Sequence, residues 1–197
     1  MKAINPQVWG SSGWHILHRI SFMFGNKDYG SNAATLNAAR NFYLSLKHIL
    51  PCPKCRRNLE AHITSLPFPD KLSDIPKWVW KIHTRVSMSL VPEYVPPPFK
   101  KVKREYTDAK NNTLMYCAQT EATFLYALCE THPGSRSIKS KSDYLDALQT
   151  FMNMYVESLP DASSINHTAL RSKTHFRNEI KKLTKIVLDV KSGECDI

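Results

Sequence analysis

Apolar residues recur at helical spacing along the first ninety positions, in four stretches divided by short polar or proline-bearing breaks. In the first, Trp14, Leu17, Ile20 and Phe24 fall three or four residues apart and predict a helix over Gln7–Phe24, ended by Gly25 and Asn26-Lys27-Asp28. In the second, Leu36, Ala39, Tyr43, Leu46 and Leu50 form one stripe over Ala33–Ile49, closed by Pro51. A third helix starts at Cys52 and Cys55, continues through Leu59 and Ile63, and stops before Pro67. Ser73 or Asp74 can cap a fourth, with Pro76 in its first turn, running to Leu90. Short loops between amphipathic helices predict an up-and-down bundle over residues 1–91.

The fourth helix carries two stripes. Val79, Ile82, Val86 and Leu90 make an aliphatic face, while Trp80, His83, Thr84 and Ser87 make a mixed aromatic and polar face beside it. In the first helix, Trp14 and His18 likewise share a face. Rings placed to look into a bundle suggest a planar ligand between helices, although each taken singly is an ordinary core residue.

Four prolines between Pro92 and Pro98, then the basic run Lys100-Lys101-Val102-Lys103-Arg104, read as a stiff linker over residues 92–112. Helical pattern returns over Thr113–Thr131, Ser142–Leu159 and His167–Val190, giving a second helical domain over 113–197 without a chemical motif. Phe124-Leu125-Tyr126-Ala127-Leu128 lies 36 residues ahead of Pro160, as Trp14-His15-Ile16-Leu17-His18 lies 37 ahead of Pro51. The second half therefore reads as a degenerate copy of the first, with Asp161 and Ser164 where Cys52 and Cys55 would fall.

Composition adds limits. The 197 residues hold only six glycines and few alternating β-branched runs, so the chain is expected to be all-α. No run of 18 apolar residues occurs and the first 25 carry no signal-peptide pattern, so neither a membrane span nor secretion is expected. Residues 1–100 hold 13 Lys and Arg against 5 Asp and Glu. That surplus suits nucleic acid, an acidic partner, an anionic cofactor or merely a solvated face, and no nucleic-acid module accompanies it.

The chemistry is concentrated in Cys52-Pro53-Lys54-Cys55. First-turn amides of a helix stabilise a thiolate, and Lys54, Arg56 and Arg57 add positive charge, so the pair suits passage through a disulfide. Half a zinc site is the competing reading, but Cys117, Cys129 and Cys195 are scattered and supply no second ligand pair. A thioredoxin-type motif would follow a strand, and the residues before Cys52 read as helix.

Trp9-Gly10-x-x-x-Trp14-x-x-x-His18, Leu50-Pro51-Cys52-x-x-Cys55 and Trp78-x-x-x-x-His83-x-x-Val86-x-x-x-Leu90, in that order, resemble the Erv/ALR family of FAD-linked sulfhydryl oxidases. They are most similar to the oxidases of large cytoplasmic DNA viruses. The resemblance implies a four- or five-helix bundle, here with an additional C-terminal helical domain, and a Cys52–Cys55 redox disulfide. Cys52 would exchange with substrate dithiols and Cys55 would face the flavin. Gly10, Trp14, His18, Trp80, His83, Thr84 and Ser87 would hold FAD, with Trp14 and His18 on the isoalloxazine, His83 on the adenine and Gly10 allowing close backbone approach. Electrons would pass to dioxygen and give hydrogen peroxide; partners would be thiol-bearing proteins and a second copy in a homodimer. A viral source would place the chain in host cytoplasm or the virion, and any other source in a soluble intracellular compartment. Where the family usually has asparagines, this chain has Thr84 and Ser87, which keep a hydroxyl but lose the paired amide donor and acceptor. A flavin-free thiol exchanger or helical binding module is the remaining alternative.

Overall fold

The computed structural model describes residues 4–24, 33–107, 118–133, 141–159 and 170–189. Among them are eight α-helices and no strand: α1 Pro6–Phe24, α2 Ala33–Ile49, α3 Pro53–Ser65, α4 Ile75–Leu90, α5 Phe99–Thr107, α6 Ala118–Glu130, α7 Lys141–Glu157 and α8 Lys173–Asp189. A 3₁₀ turn, Leu72–Asp74, leads into α4.

Local chemistry explains the first four. Lys47 and His48 in the last turn of α2 complement its negative end. Pro53 opens α3 at a position where its missing N–H costs nothing, and Cys52 stands at the N-cap with its sulfur accepting the Cys55 amide. Asp74 is the N-cap of α4 but makes no side-chain cap bond, so its contribution is the charge at the helix start. Packing of α1 on α4, α2 on α3 and α3 on α4 forms the bundle. The Tyr43 hydroxyl donates to the Leu17 carbonyl at 2.9 Å and ties α2 to α1, and the Trp78 indole donates to the Leu66 carbonyl at 2.9 Å.

Residues 92–112, expected to be linker, contain helix α5. Phe99, Val102 and Tyr106 recur at helical spacing, and Val102 and Tyr106 are buried while Lys100, Lys101, Lys103 and Arg104 are exposed. The basic run is thus the solvent face of an amphipathic helix packed on α1 and α4.

The C-terminal helices extend the same core. One apolar cluster joins Ile16, Phe42 and Leu46 of the first half to Phe124, Phe151 and Tyr155 of the second. α6 packs along α1, α7 along α2, and α8 against α6. Gly13 permits the first of these: a Cβ there would stand 3.1 Å from the Phe124 ring.

α1 is consequently buried on several sides, and one side carries a charge. Arg19 is 2% exposed. Its guanidinium makes two bonds to the Glu121 carboxylate, at 2.7 and 3.1 Å, and donates to the Ser158 hydroxyl at 2.9 Å and carbonyl at 3.0 Å. The Tyr155 hydroxyl donates to Glu121 at 2.8 Å.

Glu121→Ala strands this guanidinium and should lower unfolding free energy by about 3–5 kcal/mol in urea titration. Arg19→Met combined with Glu121→Leu should recover most of that loss, because two apolar groups replace the pair.

Candidate functional site

The two cysteines are free thiols at the junction of α2 and α3, on the wall of a cavity of about 370 Å³. That volume lies within the range of roughly 300–1,000 Å³ usual for small-molecule sites. Gly10, Trp14 and Leu17 of α1, Leu59 of α3, and Val86 and Leu90 of α4 share its lining, and Phe124 of α6 forms another part. The second half of the chain thus supplies a wall of the candidate site.

Cys52 is 8% exposed and Cys55 is half-buried, the reverse of an outer Cys52 and an inner Cys55. The N-terminal segment is tied to the same turn: the Ile4 amide donates to the Pro51 carbonyl at 3.2 Å and the Trp9 indole donates to the Ile4 carbonyl at 3.2 Å. The Cys55 amide reaches Cys52 Sγ at 3.2 Å. Burial, then the hydrogen bond and charge of Cys52, push the Cys55 thiol up to about 12, so in the reduced pair Cys55 keeps its proton.

The expected help from neighbouring cations is partial. Lys54 lines the cavity. Arg56 turns to the α2–α3 corner, donating to the Leu50 carbonyl at 2.7 Å with its guanidinium 5.9 Å from the Tyr144 ring centre.

Behind Trp14 lies an aromatic column. His83 stacks on Trp14 at 4.2 Å and 10°, and its Nδ1 stands 3.0 Å from His18 Nε2. Tyr106 stacks on the other side of His18 at 5.4 Å, and Phe22 stacks on Tyr106 at 5.6 Å. Tyr106 also meets His15 Nδ1 at 3.3 Å, and His15 Nε2 lies 3.8 Å from Glu121. The column therefore runs from the cavity wall to the buried Arg19–Glu121 pair.

The expected cofactor residues separate into three places. Gly10 and Trp14 line the cavity. His18 and His83 stand one ring behind it. Trp80 is drawn away to α5, where its indole donates to the Pro97 carbonyl at 3.0 Å and packs against Phe99. Thr84 and Ser87 are half-buried on α4 and are not part of the cavity wall. Sequence reasoning missed Tyr106, Phe22, His15 and Phe124. For Tyr106 a signal existed in the Phe99, Val102, Tyr106 spacing within the basic run.

Two features fit a planar cofactor ring. A Cβ on Gly10 would meet no other atom within 4 Å, so the missing side chain leaves space at the cavity. Nδ1 of the buried His18 has no hydrogen-bond partner. Because Trp14 and His83 touch directly, the open stacking surface faces the cavity rather than lying between these rings. Among the described residues no group of three or more His, Cys, Asp or Glu is placed to hold a metal, and no helix is long and apolar enough to cross a membrane.

Residues 11–107 match the Erv1 / Alr family, ending with α5, and this part of the chain is an Erv1/Alr domain. Over 90 residues the chain is 29% identical to a protein of Acanthamoeba polyphaga mimivirus named "Probable FAD-linked sulfhydryl oxidase", covering 43% of this chain and 59% of that protein. No solved structure matches the chain.

Burial lowers His18 to about 3, with the positive charges of His83 and His15 adding to the effect, and burial lowers His83 to about 4, each from 6.5. The folded state therefore holds both neutral while the unfolded chain protonates near 6.5. Stability should be full above about pH 6.5 and fall as pH drops toward 4, with a slope approaching about 1.4 kcal/mol per unit for each histidine. Urea midpoints at pH 7, 6 and 5 measure it, and His18→Gln with His83→Gln should flatten the slope.

The thiol geometry has its own test. Cys52→Ser removes the neighbouring thiolate charge, so the Cys55 thiol should fall from about 12 and react faster with iodoacetamide at pH 8. Mass spectrometry of the alkylated peptide reads the rate, and an unchanged rate would contradict the arrangement.

Proposed function

We propose that this chain is an FAD-dependent thiol oxidase acting on protein substrates through a Cys52–Cys55 disulfide. The observation that carries the reading is the juxtaposition of both thiols on one cavity with Trp14, all three within the segment matching the Erv1 / Alr family, and with Gly10 just ahead of it. The mimivirus relative's name points to the same activity.

Each side chain has a task in that reaction. A substrate thiolate attacks the Cys52–Cys55 disulfide, forming a mixed disulfide at Cys52 and releasing Cys55; a second substrate thiol displaces Cys52 and leaves with the substrate disulfide. The Cys55 amide stabilises charge on Cys52 Sγ during this exchange. Bound FAD supplies the two-electron step that returns the dithiol to a disulfide, with dioxygen as final acceptor and hydrogen peroxide as product. Trp14, with His83 stacked behind it, gives a ring surface beside the thiols; His18 Nδ1 offers a polar atom for orientation. The apolar lining from Leu17, Leu59 and Val86 excludes water from the transfer space. The Ile4 amide bond to the Pro51 carbonyl holds the N-terminal segment against the residue before Cys52, which also lines the cavity.

The direct Trp14–His83 stack and the Thr84 and Ser87 positions favour a second reading, a flavin-free thiol exchanger. Purified protein decides between them: a flavin absorbance band is expected, and a colourless protein that takes up no added FAD would establish the second reading. With dithiothreitol as substrate, Cys52→Ser and Cys55→Ala should each reduce oxygen consumption to background, while Cys129→Ala should stay within about twofold of the parent, since Cys129 is buried outside the cavity.

A further inference from the structure

Trp14, Leu17 and Leu59 border two spaces. One is the cavity of the thiols; the other is a second cavity, of about 10 Å³, between α1, α2, α3 and α4. The rest of its wall is Tyr43, Leu46, Ile63, Trp78, Val79 and Ile82. Its volume is near the least that admits one molecule of the girth of water.

Water finds nothing to bond there. A water inside a protein needs about two to four polar partners, and the two polar side-chain groups in this wall are already used. The Tyr43 hydroxyl donates to the Leu17 carbonyl and the Trp78 indole to the Leu66 carbonyl, each at 2.9 Å. Burial also pushes the Tyr43 hydroxyl well above its usual range, so no charge forms on it. The rings cross rather than stack, Trp78 meeting Tyr43 at 72° and Phe68 at 66°, and this holds the indole in place beside the aliphatic side chains.

We infer that this cavity is a site for a small apolar gas and, resting on the oxidase reading above, that it holds dioxygen one side chain away from the thiols' cavity. Of the reactants and products of that oxidation, dioxygen alone has no charge, no dipole and no hydrogen-bonding group to leave unpaired. An uncharged apolar molecule partitions from water into such surroundings. Trp14, Leu17 and Leu59 are the partition, so a change of leucine rotamer passes the gas across without a return to bulk water. Closure of the Cys52–Cys55 dithiol to a disulfide releases two electrons and two protons; dioxygen takes up both, by way of the cofactor, and becomes hydrogen peroxide. Peroxide is polar, finds no partner in the small cavity, and leaves from the larger one.

The oxidised full-length protein, which does not consume the gas, is the object to test. Under dioxygen pressure, the paramagnetic molecule should speed proton relaxation of the Leu46, Val79 and Ile82 methyls severalfold more than that of Ile20 and Leu148, which are as deeply buried and border neither cavity. Equal enhancement at all five, or a long-lived water NOE to the Val79 methyls, overturns the site, and neither readout needs a variant. Val79→Ile adds one methylene to the space. The extra enhancement should then be lost and the apparent KM for dioxygen should rise about fivefold, while anaerobic bleaching of bound flavin by dithiothreitol keeps its rate. An unchanged KM in a variant that has lost the enhancement overturns the role in turnover. A protein that takes up no flavin would overturn the oxidase reading and that role with it, and the relaxation contrast would still decide whether the cavity holds the gas.

Discussion

A guanidinium almost sealed from water, Arg19 in the middle of α1, constrains the arrangement of the whole molecule. An ionised group in that position is tolerable only with a carboxylate and further acceptors in good geometry, and residues of the second half supply them. Glu121 comes from α6, Ser158 from the end of α7, and Tyr155 holds Glu121 in place. The helices of the second half are therefore required by the charge of the first. Because α1 is also the helix carrying Trp14 and His18, the same pairing sets the rotation of α1 about its axis and hence the direction of its aromatic face.

That coupling explains how a cavity survives beside the core. The first bundle leaves open space between α1, α3 and α4, where close packing would otherwise be favoured. Phe124 closes the N-terminal part of that space from outside the bundle, and Gly13 lets it approach. On the opposite side, Tyr106 and Phe22 support His18, which supports His83, which supports Trp14. Two rings and a hydrogen-bonded histidine pair hold one cavity-wall residue, a column whose burial favours neutral histidines.

Much of this was legible along the chain because helical periodicity depends on nearest neighbours. The stripe from Leu36 to Leu50 gave α2 its limits, and the prolines at 51, 67 and 76 marked the breaks around α3 and α4. α5 was hidden because four exposed cations dominate its composition, although Phe99, Val102 and Tyr106 carry the stripe. The thiols and Trp14 could be placed by motif. Trp80 could not, because it stands on the border of two faces of α4 and which neighbour it meets depends on where α5 comes to rest. Arg19 and Glu121 left no signal, since a buried ion pair between residues far apart in sequence looks like two ordinary surface charges. Burial of Cys52 had the same origin: it is a tertiary property, at a turn to which Ile4 and, through it, Trp9 are tied.

The two halves divide the physical work unequally. A small helical domain that keeps an open cavity beside its dithiol gives up apolar contacts it could otherwise make. α6 and α7 restore contacts on the far side of α1 and α2, where Phe124, Phe151 and Tyr155 are buried among Phe42, Ile16 and Leu46. Burying three such rings contributes several kcal/mol, about 1.5–3 for each side chain the size of Phe before the entropy of ordering it. A half that carries no dithiol can close its core without regard to access, and the half that carries one can remain open because its neighbour is closed. Changes in the second half therefore reach the site through packing and through Glu121 rather than through thiol chemistry.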